Sequence, residues 1–364
     1  MKKKVLAVTA IVAAVLGICS CNNQEMDRED KRRPSVEADG FGSVNFAVAE
    51  NIILTKSTAE SNNNKVNHLK FFIFDQSGSL IASADKSFST PAAVTSSSAS
   101  DTVKVTVPLG VSGMRVFAVA NSKAEEAQWA TVTDTTTLKA CISKLSSNTI
   151  DCMAAIGDLK DQTFAKEGVY TVNVKRFGAK VILDKVTTAF KSDAHKSLDF
   201  KLKAIYLTNV QPECPYSQVA SNAAATSWYN QMAFTSVSTD VDALIAEKDL
   251  DVDMKTGISQ KHYFYCYPNT INKEGDSHDK TSFTARRTRL VLETILGTNT
   301  YYYPIDLPGS DTGTLENNKT YTITDLKVTG IGTQDPEDKL EKGVIACNIT
   351  IADWETGESW TVEY

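Results

Sequence analysis

The chain has 364 residues, of which 42% are hydrophobic and 23% are charged, and its formal net charge at pH 7 is −6. This length allows about two domains of roughly 150 residues each, and the composition excludes a disordered tail and a polytopic membrane protein. The net negative charge argues against nucleic acid as a partner, because phosphate backbones require a basic surface.

The first twenty residues predict an export signal. Three lysines precede the uncharged stretch 5–18, which is too short to span a bilayer comfortably as a helix. Cys21 follows a branched apolar residue at position 18 and a small residue at position 20, a pattern that resembles the lipobox of bacterial lipoproteins. We therefore predict a signal peptide at 1–20, an acylated Cys21 and a polar tether at 21–43. An ordinary cleaved signal is the alternative.

The mature chain is predicted to be all-β with minor helices. Short runs of alternating apolar residues are separated by turn signals, which is typical of β-sandwiches. The first run places large apolar groups on one face of a strand, at Val44, Phe46, Val48, Ile52 and Leu54. Further strands are predicted at 69–74, 103–109, 114–120, 169–174, 177–183, 198–210, 263–267, 289–296, 301–305, 321–328 and twice within 343–364. Short helices are predicted at 125–129, 136–145 and 240–248, the last capped by Asp240, and a solvated loop is predicted at 88–102.

A new buried strand, FGAKVIL, begins after Arg176, and we place a domain boundary near residue 172. The sequence thus predicts two tandem sandwich domains, at 44–172 and 173–364. The cysteines beyond the lipobox form an odd set without CxxC spacing, which suggests neither a disulfide framework nor a zinc ribbon. Most are interpreted as small buried apolar residues; they are Cys141, Cys152, Cys214, Cys266 and Cys347.

Several short patches occur in a characteristic order along the chain. The first four are the lipobox, the first strand ending in LTK, the segment VNHLKFFIFDQSG and the segment RVFAVAN. In this order they resemble the N-terminal half of the major fimbrial subunit (fimbrillin) family of Bacteroidales. The segments VKRFGAKVIL and LKAIYLTNV resemble the opening of its C-terminal domain, and NKTYTITDLKVTGIG followed by VIACNITIADWETG resembles the close of that domain. The patches extend over nearly the whole mature chain, and their order is more specific than any one of them.

The resemblance implies two transthyretin-like β-sandwich domains and assembly by strand exchange. Members of the family travel as lipoproteins to the outer membrane, where a trypsin-like protease cuts behind the first strand and removes it with the lipid. A strand of a neighbouring subunit then fills the groove, which builds a homopolymeric surface fimbrium. Such β-augmentation satisfies both the apolar groove and the unpaired backbone groups beside it.

A trypsin-like protease needs a basic residue on an accessible loop behind the removable strand. Lys56 fits this requirement, because it follows Leu54 closely and precedes the polar run STAESNNN. Lys65, interpreted as a later residue of the same loop, is the second choice. The dibasic pair at 32–33 is followed by Pro34, and a cut there would release the lipid but leave the strand in place.

The donor strand is predicted in the last segment, at about 343–364. Two stretches of this segment alternate apolar and polar residues, and the sequence does not divide the donor role between them. Their apolar residues are Trp360, Val362 and Tyr364 in the last stretch, and Ile345, Ile349 and Ile351 in the stretch before it. A last strand that simply pairs within its own domain is the alternative.

No pattern predicts catalysis, a cofactor or a bound metal. The chain has no GxSxG elbow, no phosphate-binding loop and no dinucleotide fingerprint. The histidines lack metal-site spacing and are interpreted as surface or turn residues; they are His68, His195, His262 and His278.

Three further clusters have a structural interpretation and a functional alternative. The acidic residues Asp249, Asp251 and Asp253 fail the EF-hand pattern and are interpreted as a strand edge rather than a calcium site. The basic residues Arg286, Arg287 and Arg289 are interpreted as a solvated strand end, or else as a contact with the next subunit. The aromatic residues Trp228, Tyr229 and Tyr301–Tyr303 are interpreted as core or rim residues, or else as a sugar-stacking platform.

We therefore interpret the chain as a non-enzymatic pilin. It would be exported as an outer-membrane lipoprotein, activated by proteolysis, and polymerised with copies of itself into an extracellular fimbrium that contacts host or bacterial surface ligands. A lipid-anchored surface glycan-binding protein and a tip or anchor subunit of the fimbrium are the alternatives.

Overall fold

The computed structural model describes residues 40–49, 65–93, 102–218, 228–236, 238–271, 285–308, 313–354 and 359–363. The predicted signal peptide, Cys21 and nearly all of the tether lie outside these residues. So do Ile52, Leu54, Lys56 and Tyr364.

Short strands dominate the first part of the chain, and a connection with small helices interrupts them. The strands are β1 Phe41–Ala49, β2 Lys65–Phe74, β3 Leu80–Ala93, β4 Val103–Pro108, β5 Met114–Ala120, β6 Ile142–Lys144, β7 Ala155–Gln162, β8 Val169–Asn173 and β9 Lys175–Arg176. Between β5 and β6 lie a 3-10 turn at Lys123–Glu125 and the helices α1 Glu126–Trp129 and α2 Thr135–Ala140.

The second part is also built of strands. They are β10 Ala179–Leu183, β11 Val186–Thr188, β12 Phe200–Thr208, β13 Glu213–Pro215, β14 Ala246–Glu247, β15 Val252–Asp253, β16 His262–Cys266, β17 Arg289–Leu296, β18 Asn299–Asp306, β19 Lys319–Val328, β20 Ile345–Asp353 and β21 Ser359–Glu363. The short helices among its described residues are α3 Asp193–Ser197 and α4 Thr239–Ile245. The prediction of an all-β fold with minor helices is confirmed.

The first sandwich consists of two sheets around one apolar core. Sheet I has the order β4-β1-β8, and sheet II has the order β3-β2-β5-β7-β9. Alternate residues of each strand point inward, as the pleat requires, so that Val44 and Phe46 of β1 meet Phe71 and Ile73 of β2 in this core.

The second sandwich also consists of two sheets around an apolar core. Sheet III has the order β16-β10-β19-β20-β21, with β11 also on β19, and sheet IV has the order β14-β12-β17-β18, with β15 also on β12. Ile323 and Ile349 of sheet III and Ile205, Leu292 and Tyr303 of sheet IV are fully buried in its core.

Sheet II is covered on both faces. Phe71 and Ile73 belong to the core of the first sandwich, whereas Phe72 and Phe74 join the apolar cluster that continues into the second. The connection between β5 and β6 helps to cover this outer face, with Leu138 of α2 fully buried in the same cluster. Burial on both faces explains why β2 and β5 have nearly continuous apolar runs instead of strict alternation.

Strands up to Arg176 pair within sheets I and II, and strands from Ala179 onward pair within sheets III and IV, apart from β13, which pairs with β6. Residues from Ala38 onward pack as one unit. The boundary near residue 172 therefore stays a proposal.

Several element bounds differ from the prediction. β1 begins at Phe41, inside the predicted tether, and β3 continues to Ala93 through the predicted loop. Helix α2 ends at Ala140 instead of extending to residue 145. The N-cap of α4 is Ser238, whose hydroxyl accepts from the backbone N–H of Val241, and not Asp240.

All five cysteines in the described part of the chain are buried free thiols, as the sequence predicted. Burial raises the pKa of Cys214, Cys266 and Cys347 to about 12. Among the described residues, no helix combines the length and the apolar character that crossing a membrane would need.

Candidate functional site

Strand β1 lies in the middle of sheet I. Its first half pairs antiparallel with β4, from Phe41 opposite Pro108 to Phe46 opposite Val103. Its second half pairs parallel with β8, from Asn45 opposite Val169 to Ala49 opposite Asn173. Both edges of β1 are thus used, and β4 and β8 meet only through it within this sheet.

The inward face of β1 fills the core of the first sandwich. Val44 and Phe46 are fully buried and Val48 is 2% exposed. The ring of Phe46 stacks on Phe71 at a centroid distance of 5.5 Å and meets the edge of Phe164 at 5.5 Å. Removal of β1 would therefore leave an apolar groove with Phe71 and Phe164 in its walls.

Strand β8 depends on β1 for its backbone pairing. Within the described residues, β8 has a ladder with β1 alone. The N–H of Asn45 donates to the carbonyl of Gly168 at 2.9 Å, and the N–H of Val174 donates to the carbonyl of Ala49 at 3.3 Å. Loss of β1 would leave β8 held only by its side chains and its connections.

Of the two predicted processing sites, one can be placed. Lys56 lies outside the described residues. Lys65 is not in a loop: it is the first residue of β2, and its Nζ lies 2.8 Å from the Asp151 carboxylate. A strand residue held by an ion pair is a poorer protease substrate than a loop residue, so Lys56 remains the first choice.

Both predicted donor stretches are paired within sheet III. Strand β20 lies between β19 and β21, and its residues Ile345, Ile349 and Ile351 point into the core, as the alternation predicted. Among the described strands, β21 is on the edge and pairs with β20 alone, with Trp360 opposite Ile351 and Val362 opposite Ile349. In this monomer the last strand adopts the within-domain pairing, and its donor role stays a proposal.

The basic cluster is buried, not solvated as predicted. Arg286 and Arg289 are 4% and 1% exposed, and their Nη1 atoms lie 3.2 and 3.0 Å from the same carboxylate oxygen of Glu337. Arg289 also pairs with Asp306 at 2.5 Å, and the side chain of Asn209 donates to the second oxygen of Glu337 at 3.0 Å. These residues form a buried ionic network that fixes the connection between β19 and β20.

Two histidines are also buried, contrary to the prediction of surface positions. His68 is 1% exposed in β2 and stacks on Trp129 at 5.3 Å, and burial lowers the pKa of its imidazole. His262 is 5% exposed, and its Nδ1 lies 2.9 Å from a carboxylate oxygen of Glu247. His195 lies on α3, and His278 lies outside the described residues.

The remaining clusters follow their structural interpretation. Asp251 is exposed beside the edge strand β15 and pairs with Lys201 and Lys203. Trp228 and Tyr303 are buried, and the tyrosines at 229, 301 and 302 are partly buried against the core. No group of three or more potential metal ligands occurs among the described residues.

The described residues thus form two β-sandwiches, and the first of them has its first strand at the centre of a sheet. Residues 43–203 match the family described as "Major fimbrial subunit protein (FimA)". The resemblance seen in the sequence is thus confirmed by a family match over these residues. No curated protein sequence matches the chain.

Solved structures show the same fold over most of both chains. A candidate cell adhesion protein from Bacteroides eggerthii has 18% identity and a TM-score of 0.57, covering 86% of this chain and 96% of its own. Another from Parabacteroides distasonis has 16% identity and a TM-score of 0.58, with coverages of 86% and 100%. A fimbrilin (FimA) from Porphyromonas gingivalis has 12% identity and a TM-score of 0.56, with coverages of 86% and 97%.

Proposed function

We propose that this protein is a structural subunit of a surface fimbrium that polymerises after proteolytic loss of β1. The family match supports the pilin role, and the observation that carries the finer proposal is the central position of β1 between β4 and β8. A central strand at the start of the folded chain can be removed by one cut behind it. Its removal opens a groove of the right shape for another strand.

The energetics support a strong drive to refill this groove. Burial of Val44, Phe46 and Val48 contributes about 5 to 9 kcal/mol as an upper estimate, at about 1.5 to 3 kcal/mol for each fully buried side chain. This is comparable with the total stability of a domain, about 5 to 15 kcal/mol. In addition, the edges of β4 and β8 would lose their backbone partners.

The donor in this proposal is the C-terminal segment of a neighbouring copy. Strand β21 has one ladder partner, so its exchange breaks one set of backbone bonds, whereas β20 is paired on both sides. Val362 and Trp360 alternate along β21 with the period that a groove-filling strand needs. We therefore favour β21 as the strand that is exchanged, with β20 remaining in its own sheet.

Export and processing complete the proposal. Cys21 would carry the lipid that anchors the precursor in the outer membrane, and a trypsin-like protease would cut after Lys56. The cut releases the lipid and β1 together, because both lie on its N-terminal side. The mature subunit would then join the fimbrium, whose ligands are host or bacterial surface groups.

Limited trypsin digestion of residues 22–364 tests this proposal. We expect one early cut after Lys56, followed by growth in light scattering and by ladders that resist SDS. Lys56→Ala should stay monomeric, whereas the matched variant Lys65→Ala should polymerise like the original chain. A clean cut after Lys56 that leaves a stable monomer would contradict the proposal and favour a lipid-anchored binding protein.

A further inference from the structure

Trp354, the residue directly after β20, is held by a stack of cationic and aromatic groups. The guanidinium carbon of Arg176 lies 4.5 Å from the centroid of the indole, and Nζ of Lys180 lies 6.0 Å from it. The ring of Tyr265 stacks on the indole at 5.8 Å with an interplanar angle of 24°. Because Arg176 is 2% exposed, this cation–π contact is largely shielded from water.

Hydrogen bonds from backbone N–H groups connect Arg176 and Trp354 through Asn318. The N–H of Trp354 donates to the carbonyl of Asn318 at 3.0 Å, and the N–H of Arg176 donates to the Asn318 side-chain oxygen at 3.2 Å. The N–H of Asn318 in turn donates to the carbonyl of Gly178 at 2.8 Å. We call Arg176, Asn318 and Trp354 the junction.

The junction lies directly downstream of the part of the chain that depends on β1. Val174, whose N–H donates to Ala49 of β1, is two residues before Arg176. Strand β8 ends at Asn173, and within the described residues its backbone ladder is with β1 alone. Loss of β1 therefore removes the backbone partners of β8 and of Val174, which directly precede β9, whereas Lys175 and Arg176 of β9 pair with β7.

The other side of the junction leads into the C-terminal strands. Trp354 ends the described part of the β20 segment, and β21 begins at Ser359. Next to Trp354, the Asp353 carboxylate pairs with Lys319 of β19. The cation–π contact between Arg176 and Trp354 thus lies where the chain continues from β20 toward β21.

We propose that the junction couples the first strand to the last: with β1 in place, Arg176 holds Trp354 and retains β21 in sheet III, and removal of β1 loosens that hold. This regulation rests on the proposed function, in which β1 is removed and β21 is exchanged. This coupling would prevent the uncut precursor from donating β21, because the strand is released only in a subunit whose own groove has been opened. Coupling of this kind is reciprocal, so it can be measured from either side in the uncut chain.

Hydrogen–deuterium exchange of the uncut chain, residues 22–364, tests the coupling. Arg176→Met removes the cation and keeps an apolar side chain of similar length. We expect the amides of 345–363 to exchange about tenfold faster or more in this variant, as loss of a desolvated cation–π contact implies. Arg115→Met is the matched control, because Arg115 also lies 4.5 Å from an aromatic centroid, that of Phe117, but is on β5, which β7 separates from the strand of Arg176 in sheet II.

The coupling should also appear when β1 itself is weakened. Phe46→Ala and Met114→Ala both remove a buried side chain from the core of the first sandwich, but only Phe46 is on β1. We expect faster exchange at 345–363 in Phe46→Ala and not in Met114→Ala at equal overall destabilisation. If Arg176→Met does not fold, Trp354→Leu tests the same contact from the other side.

Equal exchange at 345–363 in the junction variants, the β1 variant and their controls would overturn the coupling. Because the chain stays uncut in this experiment, its outcome is independent of polymerisation. Polymers after trypsin without altered exchange would leave the proposed function standing and remove the coupling. Altered exchange without polymers would support the coupling and contradict the proposed function.

Discussion

The first and last strands of this chain are held in different ways. Strand β1 lies between two neighbours and buries Val44, Phe46 and Val48 in a core of its own. Strand β21 lies at the edge of sheet III and, in the part of the chain that the structure describes, pairs with β20 alone. A strand held on both edges leaves slowly unless the chain is cut, whereas an edge strand can leave by breaking one ladder.

In the proposed assembly, this difference explains why the release of β1 would need a protease and the release of β21 would not. In that assembly, burial of the interior strand provides the free energy that a replacement strand would recover, and the edge strand would be the replacement that costs least to mobilise. Substitutions in and around both strands test this difference.

Phe46→Ala should lower the free energy of unfolding by about 3 to 5 kcal/mol, because it empties the centre of the first core. Phe41→Ala on the same strand is the matched control, since Phe41 is 73% exposed and its truncation should change little. Urea unfolding of both variants measures the difference. Similar losses in the two variants would mean that β1 is not anchored by its inward face.

Glu337→Gln should destabilise the chain by about 3 kcal/mol, because Arg286 and Arg289 would keep their buried charges without this carboxylate. The control is Asp251→Asn, which removes an exposed carboxylate from two lysines and should leave the thermal midpoint nearly unchanged. Equal shifts in the two midpoints would show that the segment before β20 is not fixed by the network.

Gly157→Ala should cost about 2 kcal/mol, because a Cβ at this position of β7 would lie 1.8 Å from the carbonyl oxygen of Asn173. The backbone there cannot move without shifting the end of β8. Gly42→Ala on β1 is the milder comparison, since its Cβ would meet Cδ1 of Leu109, the end of a flexible side chain, at 2.5 Å. Chemical denaturation should rank the two variants in that order, and the reverse order would contradict the close approach of β7 and β8.

Acid should weaken the first sandwich through His68, whose pKa is lowered from 6.5 mainly by burial. Below pH 6.5 the unfolded chain binds a proton that the folded chain resists, so the free energy of unfolding should fall as the pH drops from 7 toward 5. The buried Glu125 acts in the opposite sense, because burial raises the pKa of its carboxyl. Comparison with His68→Gln isolates the histidine: that variant should lose part of the pH dependence, whereas His195→Gln should keep it.

The sequence predicted which side chains of β1 point inward, because the two faces of a strand alternate whatever its neighbours are. It could not predict that β1 is central. Its partner β8 is distant in the sequence, and parallel pairing leaves no local turn signal. The central position, on which the functional proposal depends, came only from the fold.

Long-range packing also explains the positions that were assigned wrongly. Arg286 and Arg289 have the character of surface residues, but Glu337, distant in the sequence, provides the carboxylate that allows their burial. His68 is covered by Trp129 in the connection between β5 and β6, which a strand pattern does not reveal. β7 was not predicted, because its exposed second half, LKDQ, shows no apolar alternation.

A reversible cross-link between β1 and β4 tests directly whether polymerisation requires the loss of β1. Ser43 and Thr106 are opposite each other in the ladder, at a separation that a disulfide can bridge, so Ser43→Cys with Thr106→Cys in residues 22–364 should lock β1 in place. After trypsin cuts behind β1, light scattering should stay at the monomer value until a reductant is added and should then rise as polymers form. Polymers that form while the cross-link is intact, or a cut and reduced chain that stays monomeric, would contradict the account.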